Sequence, residues 1–443
     1  MSTSSVAPNG GSPLPFTRDH QVWRWKILAS TYVAYAGFYL CRKVYTLAKP
    51  VIKEDLGLTY DQIAYIWTAF LIAYMIGQFV TSFVGRKWAP KALLVGGLGI
   101  SMLINVVFCF ANNYYTFLIF MIFNGIVQST GWPSSVGAVA HWIRPEERGW
   151  VMGWWSTSHV VGTLVVKAIG GFLLVYVGWH WTFGGATLVA ALCWCLLLWW
   201  HHDKPEEVGL TPLVVHEQRE EHEVDGVHDS ADGHLTISQY FRLAFHPVVL
   251  TLGVAYLCVK FLRYALDSWL PTFLVVLGLD VGQASIYSMG FDVFGILPAV
   301  LAGWALDRIF RGNWALLSMV AAAGMIFGFW VVLQAGASPV AVAFSFGLVG
   351  FMIYGPETFL SGAASVQVAG EKNGLAVAGI VNGLGSIGPI FQELMIGRIM
   401  GSDEKQGLHN SSIMCLCLAS LFLLLVTIAA WRRHRVLQRT AAQ

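Results

Sequence analysis

The chain has 443 residues, of which 56% are hydrophobic and only 12% charged, and a formal net charge of +2 at pH 7. A water-soluble domain carries about twice that charge density, so a soluble globular fold is excluded and a polytopic membrane protein is expected. A net charge of +2 says nothing about nucleic acid, which is not expected as a partner, and the seven cysteines, mostly inside apolar runs without metal-ligand spacing, read as small reduced core residues.

Taken in chain order, the N-terminal stretch MSTSSVAPNGGSPLPFTRDH has no basic n-region and no small-residue cleavage site, so no signal peptide is expected. Twelve apolar segments follow, near 27–48, 60–84, 91–111, 115–142, 149–176, 181–200, 248–275, 283–305, 314–335, 338–367, 373–398 and 411–431. Each is long enough to cross a bilayer as a helix. One substantial polar stretch interrupts them, which predicts a six-helix half over 1–200, a cytoplasmic linker over 201–246 and a second six-helix half over 247–443. Histidines at 201, 202, 216, 222, 228 and 234 are irregularly spaced in this acidic stretch and read as a solvated linker, not a metal site. No cofactor motif stands out.

Of the 27 lysines and arginines, five fall inside apolar segments: Arg42, Lys43, Lys167, Lys260 and Arg263. Lys49, Lys53, Arg398 and Lys405 fall on one side of the membrane, and the remaining 18 on the other. Positive charge marks the cytoplasmic face, so both termini are expected in the cytoplasm of an inner or plasma membrane. The loops TSFVGRKWAPK (81–91) and GWALDRIFRGN (303–313) align around Arg86 and Arg308. Arg42 lies 44 residues before the first and Arg263 45 before the second, the signature of two repeats related by an axis along the membrane normal. The first loop has Gly85 where the second has Asp307, so an aspartate-based latch is not expected in the first half.

Cations inside a bilayer cost at least about 2.5–3.5 kcal/mol and mark function or pairing. Tyr35, Tyr39 and Arg42 are spaced i, i+4, i+7 and share one helical face, while Lys43 points about 100° away and is assigned to structure or the outer rim. A guanidinium between phenols is a site for phosphate or carboxylate. Lys260, Arg263 and Asp267 share a face of the seventh segment, as a second anion clamp or as a local ion pair to Asp267. Facing arginines would repel when the site is empty, and a dianion between them would relieve the repulsion. The in-span acids Asp267, Asp292, Glu357 and Glu393 can pair most of the cations; Lys167 is assigned a structural partner and Glu393 a structural role. His159 is read either as a satisfied core residue or as a phosphate ligand, since its ordinary pKa, about 6.5, is near the second pKa of a phosphate ester.

The stretches YxxxYLCRK (35–43), GWPSSVGAVAHWIRPEERGWVMGWWSTSHVVG (131–162), LRYALDSWLPT (262–272) and YGPE (354–357) resemble the organophosphate:phosphate antiporters of the major facilitator superfamily. The resemblance runs over essentially all twelve segments. It implies an all-α membrane protein of two pseudo-symmetric six-helix halves that exchanges an organic phosphate for inorganic phosphate as a monomer, and it implies no enzyme. It further implies that Arg42, Arg263 and His159 bind the phosphate, that Tyr35, Tyr39 and Tyr354 line the site, and that Asp292 is the acidic residue of the eighth segment. Gln78 stands where the glycerol-3-phosphate group has lysine, and Lys260 is expected to restore that charge. Glu357, Asn382 and Ser386 fall where the organic moiety would lie. The alternatives are a proton-coupled anion symporter and a receptor that senses a sugar phosphate.

Overall fold

The computed structural model describes residues 17–441 apart from 85–87, 144–150, 153, 156, 212–241, 243, 312, 335–337, 361–362 and 402. Apolar runs in a medium without water can satisfy their backbone only internally, and these runs are helical. The first half holds α1 (Arg18–Asp55), α2 (Tyr60–Val84), α3 (Pro90–Phe108), α4 (Tyr114–Gln128), α5 (Gly131–Ala140), α6 (Ser158–Val165), α7 (Gly171–Tyr176) and α8 (Gly178–Trp200). Helices α4 and α5 together make the fourth span. Helices α6 and α7 belong to the fifth, joined by a π-helical turn over Val166–Gly170. The second half holds α9 (Pro247–Val276), α10 (Val281–Arg308), α11 (Trp314–Gln334), α12 (Pro339–Leu360), α13 (Ala363–Met400) and α14 (Glu404–Ala441).

The spans occur where the apolar runs predict them, but several helices run further. α1 continues through Pro50 to Asp55, so Lys49 lies inside a helix and is 1% exposed, not on the aqueous side where the charge count places it. α13 begins at Ala363, so the polar stretch 371–374 is helical and the tenth span ends at Leu360. Charge marks the edge of the lipid-embedded zone; it does not end a helix whose backbone bonds are already made. Among the described residues, seven helical stretches are apolar and long enough to cross a membrane by composition alone. α1 is not one of them, because Arg42, Lys43 and several tyrosines interrupt its apolar run.

Two separate cores result. Phe38, Trp67, Phe117 and Phe183 belong to the first; Leu262, Trp269, Phe329 and Phe422 belong to the second. The halves meet where α1 packs on α9, α2 on α13, and the fifth span on α10. The seam is tight at the end where α1 finishes. A Cβ on Gly397 of α13 would collide with the Cβ of Ala64, and one on Gly171 would lie 2.6 Å from Ser285. The basic loop around Arg86 and the linker over 212–241 lie outside the described residues.

Candidate functional site

The described ion pairs between the halves all sit at that tight end. Lys43 pairs with Asp267, Lys49 with Glu393, and Lys167 with Asp292. Lys49 also donates to Ser268 Oγ at 2.7 Å, and Glu393 accepts from Ser268 Oγ at 2.8 Å and Trp269 Nε1 at 2.9 Å. Lys167 donates to the Ser288 carbonyl at 3.0 Å. At the rim, Lys53 and the Tyr60 hydroxyl both donate to Glu404, at 2.8 and 2.9 Å. Each of the three carboxylates Asp267, Glu393 and Asp292 is therefore matched to a cation of the opposite half. Asp267 is taken by Lys43, so the local pair with Arg263 or Lys260 does not form.

On the α1 N-terminal side of this seal lies a cavity of about 360 Å³ between the halves. Nine of the residues singled out in the sequence line it: Tyr35, Tyr39, Arg42, Gln78, His159, Lys260, Arg263, Glu357 and Asn382. Ser386 lines it too. Tyr354 does not: it is 7% exposed, packs on Phe291 at 6.0 Å between ring centroids, and sets its ring 5.0 Å from the Arg263 guanidinium. It backs an arginine instead of facing the cavity, because its position on α12 turns it toward α10.

The two arginines differ. Arg42 is 7% exposed, and its Nε and Nη2 have no hydrogen-bond partner. It reaches no carboxylate among the described residues; its guanidinium rests over the rings of Tyr39 at 4.2 Å and Tyr74 at 5.2 Å. Phenol faces steady a cation without neutralising it. Arg263 instead holds Glu357 in an ion pair. The repulsion expected between the two arginines is therefore lessened, since Arg263 carries its own counter-charge. Lys260 donates to Asn382 Oδ1 at 3.0 Å and lies 3.5 Å from Ser386 Oγ. Both of these partners are on α13, and Lys260 lines the same cavity as Gln78 of α2.

An aromatic wall surrounds Arg42. Tyr35 sits 5.6 Å from both Tyr39 and Trp132 and 5.3 Å from Trp155, and Tyr39 sits 5.7 Å from the His159 ring. Gly162 lets the fifth span approach this face: a Cβ there would lie 2.8 Å from Tyr39 Cβ. Tyr74, Trp132, Tyr256 and Tyr264 also line the cavity and were not singled out. Two of them had a signal in the sequence. Tyr74 is one turn before Gln78, and Tyr256 one turn before Lys260, each on the face already chosen. Arg42 thus brings a buried cation with two unpaired donors to the wall of a polar cavity. Among the described residues no group of three or more His, Cys, Asp or Glu could hold a metal. In the described part of the linker, His201 pairs with Asp203 at 3.2 Å and His202 with Glu207 at 3.4 Å.

The family model of the Major Facilitator Superfamily matches residues 31–393. The chain belongs to that superfamily. A probable hexose phosphate transport protein of Chlamydia muridarum is 25% identical over 92% of this chain and 91% of its own length. A phosphoglycerate transporter protein of Salmonella typhimurium is 30% identical over 83% and 80%. The membrane sensor protein UhpC of Escherichia coli is 26% identical over 88% of each. Among solved structures, a bacterial homologue of the human lysosomal transporter Spinster, in an inward-facing and unoccupied conformation, shares the fold. Its TM-score is 0.71 at 16% identity, covering 92% of this chain and 97% of that one. This major facilitator protein is a member of the organophosphate transporter group, an integral multi-pass membrane protein and not an enzyme.

Proposed function

We propose that the protein is a secondary active transporter that exchanges an organic phosphate ester for inorganic phosphate by alternating access. The ester is of the glycerol 3-phosphate, sugar phosphate or phosphoglycerate class. The observation that carries the reading is Arg42, a buried guanidinium with Nε and Nη2 unpaired at the wall of a polar cavity. A phosphate docks there bidentately, beside His159 and between the two halves, with Arg263 on the facing wall. The 18 lysines and arginines that fall on one side of the membrane support a cytoplasmic location for both termini, with the cavity facing inward and the lysine–carboxylate seal facing out. Asp267, Asp292, Lys43 and Lys167 then act as gating pairs that part when the outer end opens. The protein works as a monomer in the bilayer.

Exchange follows from Arg42. Closing the halves without cargo would seal the Arg42 charge, which has no carboxylate partner among the described residues, away from the water of the cavity, and that costs several kcal/mol. A bound phosphate removes that cost, so the loaded carrier crosses and the empty one does not. The likeness to a membrane sensor supports a second reading, in which the same site binds a phosphate ester and signals without carrying it.

Counterflow decides between them. Proteoliposomes preloaded with inorganic phosphate are expected to take up labelled phosphate ester, and empty vesicles are not. Binding without counterflow would favour the sensor. Uptake that ignores internal phosphate and collapses with the proton gradient would favour a proton-coupled symporter and end the exchange reading.

A further inference from the structure

The cavity holds three cations and one carboxylate, and their pairing is uneven. Glu357 is held by Arg263, and Asp267 by Lys43. Lys260 reaches neither. Its ammonium is 3.0 Å from Asn382 Oδ1, 3.5 Å from Ser386 Oγ and 5.1 Å from the centroid of the Tyr256 ring. All of these are neutral. An ammonium has three donors, and two neutral acceptors leave one donor unmet, while the charge is answered only at longer range by Glu357, which Arg263 already holds. The lysine is held in place by close packing of α13 on α9: a Cβ on Gly388 would lie 2.6 Å from the Leu257 carbonyl oxygen.

Arg42 and Lys260 therefore make two distinct cationic positions in one cavity. The neighbours of the first are Tyr39 on α1 and Tyr74 on α2; those of the second are on α9 and α13. We infer that Lys260, with Asn382 and Ser386, is a second anion subsite that selects organic phosphates carrying a carboxylate at the end away from the phosphate. The inference rests on the organophosphate reading above. When the halves close and water leaves, an ester whose far end bears only hydroxyls meets Arg42 but leaves Lys260 sealed with only a share of Glu357, which Arg263 already holds. A phosphorylated carboxylic acid meets both, and adds a charge-assisted hydrogen bond.

Two cargoes isolate this feature. 3-Phosphoglycerate and glycerol 3-phosphate share a phosphate and a three-carbon chain and differ at the far carbon, carboxylate against hydroxymethyl. In phosphate-loaded proteoliposomes the wild type is expected to prefer 3-phosphoglycerate by at least about tenfold in kcat/KM. Lys260→Gln is expected to cut that ratio by about tenfold or more, and Lys260→Arg to keep most of it. Asn382→Asp keeps the lysine and gives it a carboxylate, and is expected to erase the preference in the same way. If vesicles exchange neither ester nor labelled phosphate, the carrier reading itself falls and takes this one with it. If phosphate exchange is intact but the wild type handles both esters equally, the carrier stands and the subsite falls. It falls too if Lys260→Gln slows both esters by one common factor, which would assign the lysine to the phosphate.

Discussion

Arg42 and Lys43 stand side by side on α1, yet one faces the cavity with two N–H groups unpaired and the other is closed onto Asp267 of the opposite half. The same contrast extends along the molecule. On the cavity side Arg263 has Glu357, but Arg42 rests on phenol rings and Lys260 on neutral acceptors. On the sealed side every described buried lysine has a carboxylate across the seam. Both regions bury cations at cost. In the first the missing counter-charge is the room left for an anion; in the second the protein supplies it and uses it to hold the halves together. A buried cation thus says little about its role until its partner is known.

Breaking the seal from one side should have the largest effect. Glu393→Gln leaves Lys49 buried without a charge partner, and a loss of about 3–5 kcal/mol is expected, read as thermal unfolding in detergent micelles. The paired change of Lys49→Met with Glu393→Leu should recover most of it; a single variant as stable as wild type would show that the pair does not hold the seam. Next comes the open side. Arg42→Lys keeps charge and loses the planar fork, and counterflow should drop on the order of 100-fold. Full exchange by that variant would remove Arg42 from the phosphate site. A smaller shift is expected from Gly397→Leu, which drives a side chain into Ala64 and Tyr60 where the seam is tightest. Overpacking of about 1–3 kcal/mol should favour the state with the outer end open, raising maleimide labelling of a cysteine placed there. Unchanged labelling would mean the seam yields without opening. The smallest effect belongs to the exposed rim, where Lys53→Ala should change stability by less than about 1 kcal/mol, because its pair with Glu404 is exposed to water. A larger loss would make the rim part of the seal.

The spans and the Tyr35–Tyr39–Arg42 face were legible because hydropathy and helical period act within one segment. The pairings were not, because they join residues far apart in the chain. Glu357 is 94 residues from Arg263, and Glu393 is 344 from Lys49. Lys49 had a local clue all the same. It lies seven residues after Arg42, on the face that meets the other half, but an adjacent proline and nearby charge made it read as a loop residue. Tyr354 failed for the opposite reason: its motif was found, but which way α12 turns it depends on packing against α10. Lys260 and Arg263 were placed on one face, as observed, yet one face can serve two partners when helices on either side compete for it.

The wide separation of the sealing pairs has a consequence for how the chain is made. Lys43, Lys49 and Lys53 enter the bilayer with α1, but their carboxylates follow 224, 344 and 351 residues later. At about 5–20 residues per second, Lys49 waits roughly 20–70 s for Glu393 to be synthesised. For that interval the first helix carries uncompensated lysines near its trailing end, where long side chains can reach the headgroups and their water. The last turns of α1 can therefore settle only after the eleventh span has emerged. A ribosome stalled before Glu393 would leave a half-built protein whose first helix is still exposed to quality-control proteases.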